Sequence, residues 1–119
     1  MMIDPDYQAA LLALESVRSR TVTTFWLSFA TRRLFKSYAG RCRRAATTLD
    51  RIRPPLSVAR EHAALADAMR DLASAFDRIA ARGDIRGFDR FRLLRDAPEV
   101  ESAKAASEAL QARGYKIPT

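Results

Sequence analysis

Val58, His62, Leu65, Met69, Leu72, Phe76 and Ile79 recur at alternating spacings of four and three. That is the seam of an amphipathic helix, sustained for about three heptads. Ala66, Ala73 and Ala80 lie beside it and allow a neighbour to approach closely, while Arg60, Asp67, Arg70, Asp71, Arg78 and Arg82 point elsewhere. A second seam precedes it: Phe35, Tyr38, Cys42, Ala45, Leu49 and Ile52 alternate three and four over a helix of about 31–53. Arg32, Arg33, Lys36, Arg43, Arg44 and Arg51 fall opposite this seam at about 100° per residue. Gly40 sits on the polar side of the run, where it weakens the helix by about 1 kcal/mol relative to alanine.

Punctuation separates these runs. Proline lacks an N–H and pushes the residue before it out of the α region, so Pro54-Pro55 ends the basic helix. Pro55 then fits the first turn of the next helix, or Ser57 its cap. At the far end Gly83 suits a left-handed position and Asp84 a new cap, which predicts a Gly-Asp turn at 83-84. Upstream, Asp4-Pro5 reads as a cap followed by proline at the first helical position, and Tyr7, Leu11, Leu14 and Val17 mark one face of a helix over about 5–20. Downstream, Ile85, Phe88 and Phe91 or Leu94 predict a short helix. In Asp96-Ala97-Pro98-Glu99, Asp96 is the predicted cap and Glu99 takes the capping-box position. Val100, Ala103, Ala106 or Ser107, and Leu110 form the stripe of the last helix. Gly114 ends it, and Tyr115 and Ile117 can fold back on the bundle. The predicted architecture is all-α: one domain over 1–119, an antiparallel bundle of four main helices with a short extra one.

Residues 21–31 fit this frame in three ways. The stretch has no charge and is rich in β-branched and aromatic residues. It can continue a buried helix through Phe25, Leu27 and Phe29. It can be a short extended connector. Or it can be an interfacial segment in which Phe25, Trp26 and Phe29 insert into lipid or a partner.

Composition narrows the function. The net charge is +7, and it is concentrated in the first half, with no acidic residue between Glu15 and Asp50. A helix with arginines on one side and apolar groups on the other can bind nucleic acid phosphates, anionic lipid or an acidic partner. The simpler alternative is a solvated face. Eighteen arginines against three lysines, with abundant alanine, match a GC-rich coding sequence, so arginine number alone is not a functional sign. No helix-turn-helix spacing, aromatic stacking platform or zinc motif accompanies the basic face, which argues against sequence-specific DNA reading.

Chemistry-bearing residues are few. One cysteine, Cys42, excludes an internal disulfide, and one histidine, His62, makes a histidine-based metal or triad site improbable. Both lie on apolar seams. Cys42 reads as core filler, although Arg41 and Arg43 could lower its pKa. His62 reads as a packed histidine bonded to a carbonyl or an acid; the functional alternatives are a buried proton switch or a single cofactor ligand. No glycine-rich phosphate loop, nucleophile elbow or His-Glu-x-x-His occurs. Carboxylates such as Asp67, Asp71 and Asp77 read as surface charge, Asp67 within i,i+3 reach of Arg70. No catalytic residue, metal ligand or cofactor is predicted. No apolar run reaches the roughly 18 residues of a membrane span, and MMIDPDYQ lacks the features of a secretion signal. As written, the expectation is a soluble cytoplasmic product; a misassigned start would reopen the cell envelope.

Several of these residues together resemble a known class. Tyr38-Ala39, Ala45-Ala46-x-x-Leu49-x-x-Ile52-x-Pro54-Pro55, then Val58, His62 and Leu65, the Gly83-Asp84 turn, Ala97-Pro98-Glu99-Val100 and Leu110-x-x-x-Gly114-Tyr115 are similar to small uncharacterised helical proteins of high-GC Gram-positive bacteria. The resemblance covers about residues 38–117 and rests on helix punctuation and seam positions. It implies an all-helical fold and, for many members, secretion or lipid anchoring at the envelope. The sequence as written reads without the signal peptide and lipidated cysteine expected of such members, and Cys42, preceded by Arg41 in mid-helix, is not expected to substitute for that cysteine. The class has no established function and transfers no catalytic residues. The functional expectation is a non-enzymatic structural or interaction module that meets a protein partner or itself. The alternative is electrostatic binding of nucleic acid or anionic membrane through residues 32–51.

Overall fold

Two long helices lie side by side and everything else is arranged on them. The computed structural model describes residues 3–14, 32–83 and 87–118, with the backbone alone at 88 and 91. In these, α1 spans Pro5–Leu12, α2 Arg32–Arg51, α3 Ala59–Ala80, α4 Gly87–Arg95 and α5 Pro98–Ala112, with a 3₁₀ turn at Leu56–Val58. The fold is all-α, with no strand among the described residues.

Cross-links give the directions. Leu49 meets His62, and Arg43 meets Asp77, so α3 runs antiparallel to α2. Glu61 meets Arg113, and Arg78 meets Glu99, so α5 runs antiparallel to α3. The α2–α3 interface is the most extensive, and α3–α5 is next. Central α3 therefore buries two sides. Its predicted seam accounts for one: Val58, His62, Leu65, Leu72, Phe76 and Ile79 are buried and Met69 half-buried. Ala66, Ala68, Ala73, Ala75 and Ala80 are buried too, which lets neighbours pack close on both flanks. Opposite, α2 buries Phe35, Tyr38, Ala39, Cys42, Ala45, Ala46 and Leu49. Phe35 meets Phe76 edge-on with ring centroids 5.7 Å apart, and Tyr38 lies 5.4 Å from Phe76, a geometry that adds to the area these rings bury.

Several predicted boundaries are corrected. The first helix stops at Leu12, not near 20: Ala13 N–H still reaches Ala9, but Leu14 N–H bonds to Leu11 in a tightened last turn. Pro55 does not open α3 and Ser57 does not cap it. The chain makes a 3₁₀ turn first, and α3 begins at Ala59 after Val58 with no side-chain cap. Asp96 does not cap the last helix either. Ala97 occupies that position, Pro98 takes the first turn, and Asp96 instead meets Arg95 at 3.4 Å. Gly83 is not left-handed. The positive φ belongs to Gly114, at 94°, where the chain turns out of α5. Asp4 does cap α1, its carboxylate accepting from the Tyr7 N–H at 3.0 Å, and Tyr115 does fold back, to 4% exposure. Val17 with the rest of 15–20, Asp84, Ile85 and the whole of 21–31 lie outside the described residues.

Candidate functional site

Two features carry polar chemistry: a buried node around His62 and a cationic surface on α2.

The node joins four segments. His62 sits in the first turn of α3, 6% exposed, below the last turn of α2. Its Nε2 lies 2.7 Å from the Leu49 carbonyl, and its Nδ1 lies 2.7 Å from the Tyr7 hydroxyl on α1. A carbonyl can only accept, so Nε2 carries the proton and donates. In the neutral ring Nδ1 is then an acceptor, and the Tyr7 O–H donates to it. The Leu49 carbonyl lies among the last four of α2, which have no partner from a further turn. It accepts from the Ile52 N–H at 3.1 Å as well as from His62. His62 thus closes the end of α2 and ties α1 to it.

Tyr7 is 3% exposed, and its ring meets Tyr115 edge-on at 5.0 Å. The Tyr115 hydroxyl accepts from the Asp4 N–H at 3.1 Å. Gln8 and Lys116 exchange two bonds of 2.8 Å between the Gln8 amide and the Lys116 backbone. Burial, then the nearby Tyr115 and Glu61, push the Tyr7 phenol up to about 12. The node holds hydroxyls, an imidazole and backbone, all mutually bonded. It offers no open ligand position. The sequence placed His62 in the packing but did not show Tyr7 as its partner, because the two stand 55 residues apart and no periodicity links them.

Cys42 is wholly buried on the seam between α2 and α3. Burial pushes its thiol up to about 12, and the opposing influence of Arg43 is smaller. The activation that Arg43 could supply is therefore outweighed. Among the described residues no group of three or more His, Cys, Asp or Glu side chains could hold a metal ion, and no helix is long and apolar enough to cross a membrane.

The six basic residues predicted on α2 divide into two sets. Arg43 leans across to α3 and pairs with Asp77, and Asp50 beside it pairs with Arg70, which also holds Asp67 at 3.0 Å. Arg32 faces the end of α3, its guanidinium 3.0 Å from where a side chain on Gly83 would begin. Arg33, Lys36, Arg44 and Arg51 form the other set. They lie within about 80° of one another at 100° per residue, opposite the buried seam, and all four are exposed. Arg44 lies back over Gly40, whose added Cβ would stand 3.4 Å from its terminal nitrogen. Phe25, Trp26 and Phe29, the candidate interface, fall outside the described residues.

On α5, Glu99 is held below the usual carboxylate range, first by its own backbone N–H and then by Arg78 at 3.0 Å. Its predicted place in the first turn is occupied, but its charge serves the contact with α3.

No family model matches the chain, and no curated protein or solved structure matches it.

Proposed function

We propose that the chain is a non-enzymatic helical module that acts through its outer surface, by contact with a protein partner or a second copy of itself. One observation carries this reading: the single histidine, the single cysteine and the tyrosine bonded to that histidine are spent on packing. His62 has both ring nitrogens bonded, Tyr7 donates to it, and Cys42 is enclosed. General acid–base work needs a group that can reach a substrate proton, and none of these three reaches the surface. A cytoplasmic location is the proposal that goes with the sequence as written.

The test has two arms. Sedimentation at widely separated concentrations should show species heavier than the 13.3 kDa chain at the higher one if the partner is a second copy; a constant mass assigns the contact to another protein. Turnover of any substrate that disappears in His62→Gln or Cys42→Ser, with the helical circular dichroism unchanged, would overturn the reading.

A further inference from the structure

The charges around α2 are sorted by direction. Its single acid, Asp50, and the flanking Arg43 are both turned into ion pairs along α3. By position and exposure, Arg33, Lys36, Arg44 and Arg51 lie on the outward side, spread over about 27 Å at 1.5 Å per residue. Between them on the same side stand Ser37, Thr47 and Thr48, all exposed, and Gly40. No carboxylate and no large apolar or aromatic side chain interrupts this stripe.

We propose that the stripe binds the phosphate backbone of a nucleic acid duplex without reading its sequence. The proposal rests on the reading of the chain as a surface-acting module and gives one face a second partner besides the protein contact proposed above. The composition of the face selects among polyanions. A protein interface draws its affinity from aromatic and apolar anchors at its centre, and the stripe has none. A helix lying on a membrane beds its apolar side among the acyl chains, and that side of α2 is already buried against α3. Single strands are held by stacking bases on aromatic rings, which are absent from this face. Duplex phosphates ask for cations and hydroxyl donors in a row, and the stripe supplies both. Each phosphate engaged releases a counterion, so four cations limit the slope of log K against log salt to about −3.6.

The experiment is fluorescence anisotropy of a labelled duplex of arbitrary sequence, titrated with the full chain over a range of salt. Binding should be strong at low salt and fall with a slope between about −2 and −3.6. The variant Arg33→Gln/Lys36→Gln/Arg44→Gln/Arg51→Gln should bind more than about tenfold more weakly at low salt, with a slope near zero. A control with the same charge loss elsewhere, Arg78→Gln/Arg95→Gln/Lys104→Gln/Lys116→Gln, should keep most of the binding and the slope. If the stripe variant does not fold, Arg33→Gln/Lys36→Gln and Arg44→Gln/Arg51→Gln should each remove about half of the slope. Absence of binding at low salt, equal weakening in the control, or tighter binding to phosphatidylserine vesicles than to duplex would overturn the proposal. None of those results touches the surface-module reading, which falls only on turnover by the buried groups.

Discussion

His62 shows how a polar side chain is kept inside a small core. An unbonded imidazole there would lose its hydrogen bonds to water and gain nothing in return. Each ring nitrogen instead has one partner at 2.7 Å, the Tyr7 hydroxyl on one side and the Leu49 carbonyl on the other. Tyr7→Phe removes the donor to Nδ1 and should lower the unfolding free energy by about 1–2 kcal/mol. His62→Ala also opens a cavity and strands the Tyr7 hydroxyl, and should lower it by about 3 kcal/mol. Because both changes break one shared bond, the double variant should lose less than the sum. Urea unfolding measures all three.

Two buried acids give the fold an alkaline limit. Tyr7 and Cys42 are both raised to about 12 from ordinary values of 10.0 and 9.0. In each, the folded state holds its proton more tightly than the unfolded chain does. Their contribution is therefore complete below about pH 9 and is lost as pH rises towards 12. Denaturation midpoints measured from pH 8 to 12 should fall across that window. A buried neutral thiol also attacks slowly. Alkylation of Cys42 at neutral pH should be slow in the folded protein and fast in urea.

Among the elements, α2 and α3 were legible from the chain alone, because their seams repeat for five turns or more and tertiary packing agrees with the period. Ala103, Ala106 and Leu110 of α5 were legible for the same reason. Asp4 as the cap of α1 and Gly114 as the stop after α5 were also legible, but the starts of α3 and α5 were not. Ser57 and Asp96 are good cap residues by type, yet the chain caps at Val58 and Ala97 without either side chain; Ser57 lies inside the 3₁₀ turn that precedes α3. Gly83 and Gly114 both follow a helix with arginine just before them, and only the position of Ile3 and the C-terminal tail distinguishes the second. The Tyr7–His62 bond was illegible because it joins α1 to α3, and the split of the basic face was illegible because Asp77 belongs to another helix.

The glycines give opposite predictions. At Gly114 φ is 94°, and an added Cβ would stand 2.8 Å from Ile3 Cδ1. Gly114→Ala should therefore destabilise by about 1–2 kcal/mol. Gly40 is in ordinary helical conformation, and its nearest obstacle is the end of a flexible arginine at 3.4 Å. Gly40→Ala should stabilise by about 0.5–1 kcal/mol. Thermal unfolding of both variants against the parent chain checks the two signs together.

At the scale of the whole molecule the bundle separates interior from exterior. Inside, alanines and aromatic rings bring α2, α3 and α5 together, and the polar groups among them bond to one another. Outside, exposed pairs such as Arg70–Asp67 and Arg95–Asp96 are each worth a few tenths of a kcal/mol at most and do not hold the fold. Four cations, Arg33, Lys36, Arg44 and Arg51, stand exposed on the side of α2 that faces away from the core. The most direct measurement is duplex binding by two variants side by side, each confirmed folded by circular dichroism: the four-fold glutamine variant of the stripe, and His62→Gln. The stripe variant should lose binding and its salt dependence, while His62→Gln should bind as the parent does. Binding that follows His62 and ignores the stripe would contradict the assignment of binding to the stripe.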